Sequence, residues 1–97
     1  MIDQKPMFPQ NGVLYVQRNH CGVCKALLPK VEQLMNNEFH ELEFRVINAE
    51  DFQLELAQRL VLAVPAILIF ADGKEHFRST GLVSIEQIKQ AISTMKN

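Results

Sequence analysis

Apolar positions along the chain change their spacing from segment to segment, and the changes outline its elements. Val13-Leu14-Tyr15-Val16 is a short β-branched and aromatic run suited to a buried strand. The polar residues Gln17-Arg18-Asn19-His20 end it and deliver the chain to Cys21. From there Cys24, Leu27, Leu28, Val31, Leu34 and Met35 recur at helical spacings, which predicts an amphipathic helix closing near Asn36-Asn37. Pro29 falls inside that pattern, where it removes a hydrogen bond and should kink the helix. Leu42, Phe44 and Val46 alternate with Glu43 and Arg45, predicting a second strand that ends near Asn48.

Glu50 and Asp51 stand where a helix start favours acids, and Phe52, Leu56 and Leu60 follow as the apolar face of a short helix. That helix closes before Val64-Pro65. Ala66-Ile67-Leu68-Ile69-Phe70 is continuously apolar, as expected for a strand in a sheet covered on both faces. Asp72-Gly73 is a tight hairpin signal, with Glu75 to Ser79 as the returning strand. Gly81 breaks the chain again. Ser84 and Gln87 form a capping box, and Ile85, Ile88, Ile92 and Met95 make the stripe of a last helix. Before all of this, residues 1–12 carry Pro6, Pro9 and Asn11-Gly12 and read as an irregular lead-in with one helical turn.

The order is therefore β-α-β-α-β-β-α, an α/β sandwich. The first two strands should be parallel through a right-handed crossover, and the hairpin adds an antiparallel edge. With 97 residues, the chain is one domain, 1–97. Ten basic against eleven acidic residues give a net charge of −1, which offers no footprint for nucleic acid or an anionic membrane. The longest apolar run, Leu60 to Ala71 with Pro65 inside it, is too short to span a bilayer. The opening MIDQKPMFPQ lacks an apolar signal segment, so the cytoplasm is expected; a monomer is expected as well.

The two cysteines carry the chemistry. Cys21-Gly22-Val23-Cys24 follows a strand and a polar turn at the mouth of a helix. Unpaired backbone N–H groups and the dipole there favour a thiolate at Cys21. Cys24, nearly one turn on, is placed to resolve a mixed disulfide formed at Cys21. Three plainer readings compete. A structural disulfide would close so short a loop that it constrains the unfolded chain little, and it rarely persists in a reducing compartment. A structural zinc site needs four ligands; one Cys-x-x-Cys supplies half, and His20, His40 and His76 show no paired spacing. Two inert helix residues are the third.

Several features in register resemble the thioredoxin family over roughly Val13 to Met95. HCGVCK is similar to the family's Trp-Cys-Gly-Pro-Cys-Lys, Pro29 to the proline that bends its active-site helix, and Ala63-Val64-Pro65-Ala66 to its cis-proline loop. Gly73 and Gly81 match the hairpin and post-strand glycines. The resemblance implies a thioredoxin-like fold, a mixed central sheet with helices on both faces and a shortened N-terminus. It implies a thiol–disulfide oxidoreductase acting on protein disulfides, with Cys21 as nucleophile and Cys24 resolving. His20, Gly22, Val23, Val64, Pro65 and Gly81 would then form the substrate-binding surface. A cis bond at Pro65 would turn the chain sharply and present the Val64 backbone to an extended peptide. No metal or organic cofactor is implied, and electrons would come from a thioredoxin-reductase-type donor or a small thiol.

Departures from the family pattern also shape the expectation. His20 stands in place of a tryptophan and Val23 in place of a proline. Tyr15, six residues before Cys21, occupies the place of a buried aspartate, and Val46 that of its lysine partner, with Arg45 beside it. A tyrosine with a pKa near 10 is a poor general base. The Val23 N–H, which a proline would lack, is an expected donor to the Cys21 sulfur that would make the disulfide more oxidising. His20, when protonated, is a candidate aid to the thiolate. His40 reads as a solvated loop residue and His76 as part of the edge hairpin. The missing acid and the His20 replacement favour a second reading, a non-catalytic binding or redox-sensing module.

Overall fold

The computed structural model describes residues 7–95. Four strands form one sheet in the order β2-β1-β3-β4, with β1 at Gly12–Gln17, β2 at Glu43–Asn48, β3 at Ala66–Ala71 and β4 at Lys74–Thr80. β1 runs parallel to β2 and antiparallel to β3, and β3 runs antiparallel to β4. The helices are α1 (Gly22–Glu38), α2 (Gln53–Gln58) and α3 (Ile85–Met95). This is the predicted order of elements.

The two continuously apolar runs become the central strands, because only there are both faces covered. On one face Val13, Tyr15, Ile67 and Ile69 pack with Leu27, Val31, Leu34 and Met35 of α1 and Ile88 and Ile92 of α3. On the other, Leu14, Val16, Leu68 and Phe70 pack with Leu56 of α2, Val61 and the lead-in residues Met7 and Phe8. Residues 7–11 are irregular and contain no helical turn; that expectation otherwise falls on residues 1–6, outside the described residues. They are nonetheless fastened. The Asn11 side-chain oxygen accepts from the Asp72 amide at 2.9 Å, and the Gln10 carbonyl accepts from the Gly73 amide at 2.8 Å.

Three expectations are corrected. Glu50 and Asp51 lie in a separate 3-10 turn, Ala49–Asp51, because Phe52 has φ −137° and breaks the helical path before α2 begins. Leu60 is not on the α2 stripe: it is 70% exposed with φ 60°. It is the residue just past the helix cap. The Val61 amide reaches the Leu56 carbonyl at 2.8 Å and the Leu60 amide the Ala57 carbonyl at 2.9 Å, the paired bonds of a Schellman ending. Arg78 then donates to the freed Arg59 and Leu60 carbonyls at 2.9 Å each. Val46, expected inward, is 37% exposed, because β2 is an edge strand with half-buried residues along its length.

Two further local signals match their elements. The Ser84 hydroxyl accepts from the Gln87 amide at 3.1 Å while the Gln87 side chain accepts from the Ser84 amide at 3.0 Å, closing the capping box of α3. Asp72 and Gly73 both take positive φ, as a type I′ hairpin turn requires. α1 continues through Pro29 as a single helix.

Candidate functional site

Strand register brings the candidate residues to one end of the sheet. Val16 at the end of β1 pairs with Ala66 at the start of β3, so the turn after β1 lies beside Val64-Pro65. Thr80 at the end of β4 pairs with the same Ala66, which places Gly81 there too. The Gly81 amide donates to the Pro65 carbonyl at 2.7 Å, joining the two loops. The Val64–Pro65 peptide is cis, and Pro65 is buried while Val64 is half-buried.

Cys21 is the N-cap of α1 and forms a disulfide with Cys24 across a Cα–Cα distance of 5.2 Å. The two sulfurs differ in access: Cys21 is half-exposed, Cys24 fully buried. The Cys24 amide donates to the Cys21 Sγ at 3.1 Å. This corrects the expectation that the Val23 amide does so. An N-cap acceptor reaches the second or third amide of its helix, and here the third, Cys24, is taken. A proline at 23 would leave that bond in place. When the disulfide opens, the same amide faces a charged acceptor, and such bonds are roughly twice as strong as neutral ones.

Gly22 and Val23 open the helix on the exposed side, with Val23 44% exposed. His20 is exposed with φ 63°, in the turn that aims Cys21. Glu50 holds that turn: its Oε2 accepts from the Asn19 amide at 2.9 Å. The Asn19 amide, the backbone of Glu50 itself and the nearby charges of Arg18 and His20 keep its carboxyl below the usual range. Sequence reasoning assigned Glu50 only to a helix start. His40 is a surface residue near Glu41, and His76 bonds Thr94 of α3 at 2.8 Å. Among the described residues no group of three or more His, Cys, Asp or Glu is arranged to hold a metal ion.

Tyr15 is fully buried beneath α1, and its hydroxyl donates to the Cys24 carbonyl at 2.7 Å. Burial pushes its pKa up to about 12, so near neutral pH it is a hydrogen-bond donor and not a base. The Lys25 amide in turn donates to the Cys21 carbonyl at 3.1 Å, so a chain of bonds runs from Tyr15 through one peptide group to Cys21. Among the described residues no Asp, Glu, His, Lys or Arg side chain is buried.

The raised pKa has a stability consequence of definite sign. Between about pH 10 and pH 12 the unfolded chain has lost the phenolic proton while the fold retains it. Tyr15's contribution is therefore complete below about pH 10 and declines as the pH climbs toward 12. Tyr15→Phe should flatten the alkaline fall in stability, at a cost of about 1 kcal/mol near pH 7 for the lost hydrogen bond. Urea unfolding of both proteins across that range checks this, and parallel pH profiles would assign the alkaline loss to other groups.

Comparison with known proteins agrees with this architecture. The thioredoxin family model matches residues 10–94. The chain is 33% identical to the thioredoxin-like protein YdfQ of Bacillus subtilis over 79 residues, covering 81% of this chain and 70% of that protein. Thioredoxin 1 from Thermosipho africanus superposes with a TM-score of 0.76 at 29% identity, over 86% of this chain and 91% of that one. Fasciola hepatica thioredoxin gives a TM-score of 0.77 at 28% identity, covering 90% and 82%. With its cysteine pair at disulfide distance on the mouth of α1, the chain belongs to the thioredoxin family.

Proposed function

We propose that this protein is a thiol–disulfide oxidoreductase acting on protein disulfides. The observation that carries the reading is the asymmetry of the pair: a half-exposed Cys21 at a helix N-cap, its Sγ bonded to an amide, joined to a fully buried Cys24. The exposed sulfur at the positive end of the helix is suited to attack. The enclosed one is suited to resolve.

In the reduced state the Cys21 thiolate attacks a substrate disulfide, forming one S–S bond as another breaks and releasing a substrate thiolate. Cys24 then attacks the Cys21 Sγ, closing the internal disulfide and releasing the second substrate sulfur. That leaving sulfur takes up the proton Cys24 gives away, directly or through water, because among the described residues no carboxylate is buried and Tyr15 keeps its own proton. Two electrons pass to the substrate. A reductase of the thioredoxin-reductase type, or a small thiol, returns them. The substrate segment is held by the Val64 backbone, Pro65 and Gly81, with His20, Gly22 and Val23 at its edge. The reading places the protein in the cytoplasm, where such donors reside; among the described residues no helix is long and apolar enough to cross a membrane.

Insulin-disulfide reduction with dithiothreitol as donor tests this. Many disulfides reduced per protein molecule is the expected result. Consumption of one equivalent and no more would instead support a redox-sensing module, a reading favoured by the tyrosine in place of an acid beneath Cys24.

A further inference from the structure

Positive charge is distributed unevenly over this nearly neutral protein. Among the described residues, Arg45 pairs with Glu43, Arg59 and Arg78 with Glu75, and Lys89 with Glu38. Arg18, Lys25 and Lys30 have no carboxylate of the described residues within ion-pairing distance, and all are exposed. Two of them adjoin the cysteines, Arg18 in the turn before Cys21 and Lys25 directly after Cys24; Lys30 lies further along α1, where it also lines a hollow with Glu38. Lys74, likewise unpaired, sits at the hairpin tip, at the opposite end of β3 from Pro65.

Two hollows flank the pair. One, of about 390 Å³, is lined by Arg18, His20 and Lys25 with Leu28 and Pro29, and no acidic residue lines it. The other, of about 270 Å³, is lined by Lys30 with Val23, Leu82 and Val83. Glu50 is the acid whose field reaches Arg18 and His20, and its carboxylate is engaged by the Asn19 amide. Uncompensated cations around a cleft concentrate anionic partners there and raise their association rate.

We propose that this basic rim selects the substrate: the site takes disulfides flanked by aspartate or glutamate in a peptide segment, whose carboxylates seat against Arg18 and Lys25 while Cys21 attacks. The inference deepens the oxidoreductase reading and rests on it for the covalent step, which is the exchange written above. The apolar residues of both hollows leave room for the rest of the segment, so charge decides preference and not entry.

The test uses three disulfide-bonded peptides that differ only in carrying Glu, Gln or Lys beside each cysteine. At roughly 30 mM salt, kcat/KM with dithiothreitol as donor should favour the Glu peptide over the Lys peptide on the order of tenfold. The gap should narrow at roughly 0.5 M salt, where screening shortens to a few ångströms. Arg18→Glu with Lys25→Glu should reverse the order. A second arm needs no turnover: serine-for-cysteine versions of the peptides, titrated by fluorescence anisotropy, should bind in the same order. Should no peptide be reduced while the Glu version still binds tighter and the double variant removes that preference, the oxidoreductase reading fails and the basic rim stands. Equal affinities, or a preference that survives the double variant, overturn the rim.

Discussion

Cys21→Ser is expected to abolish catalysed disulfide reduction, whereas Cys24→Ser should turn the protein into a trap. The two outcomes differ because the sulfurs occupy different places. Cys21 is half-exposed at the N-cap and meets the substrate; with a hydroxyl there, no mixed disulfide forms. Cys24 is fully buried with its Cα 5.2 Å from that of Cys21, so its attack on the mixed disulfide is intramolecular. Losing it leaves only external thiol to release the product. Positioned intramolecular groups commonly outpace millimolar reagents by far more than a hundredfold, so a fall of at least about a hundredfold in turnover is expected. A covalent adduct that dithiothreitol dissolves should appear by mass spectrometry in the Cys24→Ser protein and not in Cys21→Ser. An adduct on Cys24 in the Cys21→Ser protein would reverse the assigned roles.

Gly12→Ala is expected to be the most damaging single methyl group in the fold. Gly12 pairs with Glu43 on one side and Phe70 on the other, at the first register position of β1. A Cβ there would lie 2.1 Å from the Glu43 carbonyl oxygen and 2.8 Å from its carbon, both backbone atoms that cannot rotate aside. Either the parallel ladder opens at its first pair or β1 shifts against both neighbours. Overpacking typically costs 1–3 kcal/mol, and rigid strands on both sides put this case near about 3 kcal/mol. For a domain of this size the melting temperature should fall by roughly 12–24 °C. Gly22→Ala is the matched control, since a Cβ there meets nothing within 4 Å and alanine favours the helix it opens. Equal melting temperatures for the two variants would show that β1 and β2 separate freely at this point.

The legible part of the structure is the part encoded by neighbours in sequence. The runs Val13–Val16 and Ala66–Phe70 are apolar at every position, which marks strands covered on both faces, and they are the two central strands. Ser84 and Gln87 cap α3 because both partners lie within one helical turn. The cysteine pair at a helix mouth could be read directly, since polar turn, cap position and apolar spacing are consecutive. Leu60 was not legible, because its spacing fits the α2 stripe and only the Schellman bonds to Leu56 and Ala57 turn it outward. Val46 alternates correctly with Arg45, yet the edge position of β2 leaves it partly in water.

By itself, then, the sequence determined which segments form strands and helices, which faces they bury, and where an activated thiol could stand. Only the tertiary structure decided who satisfies whom. Glu50 clamps the Asn19 amide across 31 positions of chain, and Asn11 ties down the hairpin tip across 61. Tyr15 meets the Cys24 carbonyl because β1 passes directly beneath α1. Among the described residues, Arg18 and Lys25 remain unpaired beside the cysteines because the acids that pair with the other arginines and Lys89 lie elsewhere on the fold. Periodicity records whether a side chain faces the core or water. It carries no record of the distant donor, acceptor or charge that packing brings beside it, and at this site those partners set the chemistry.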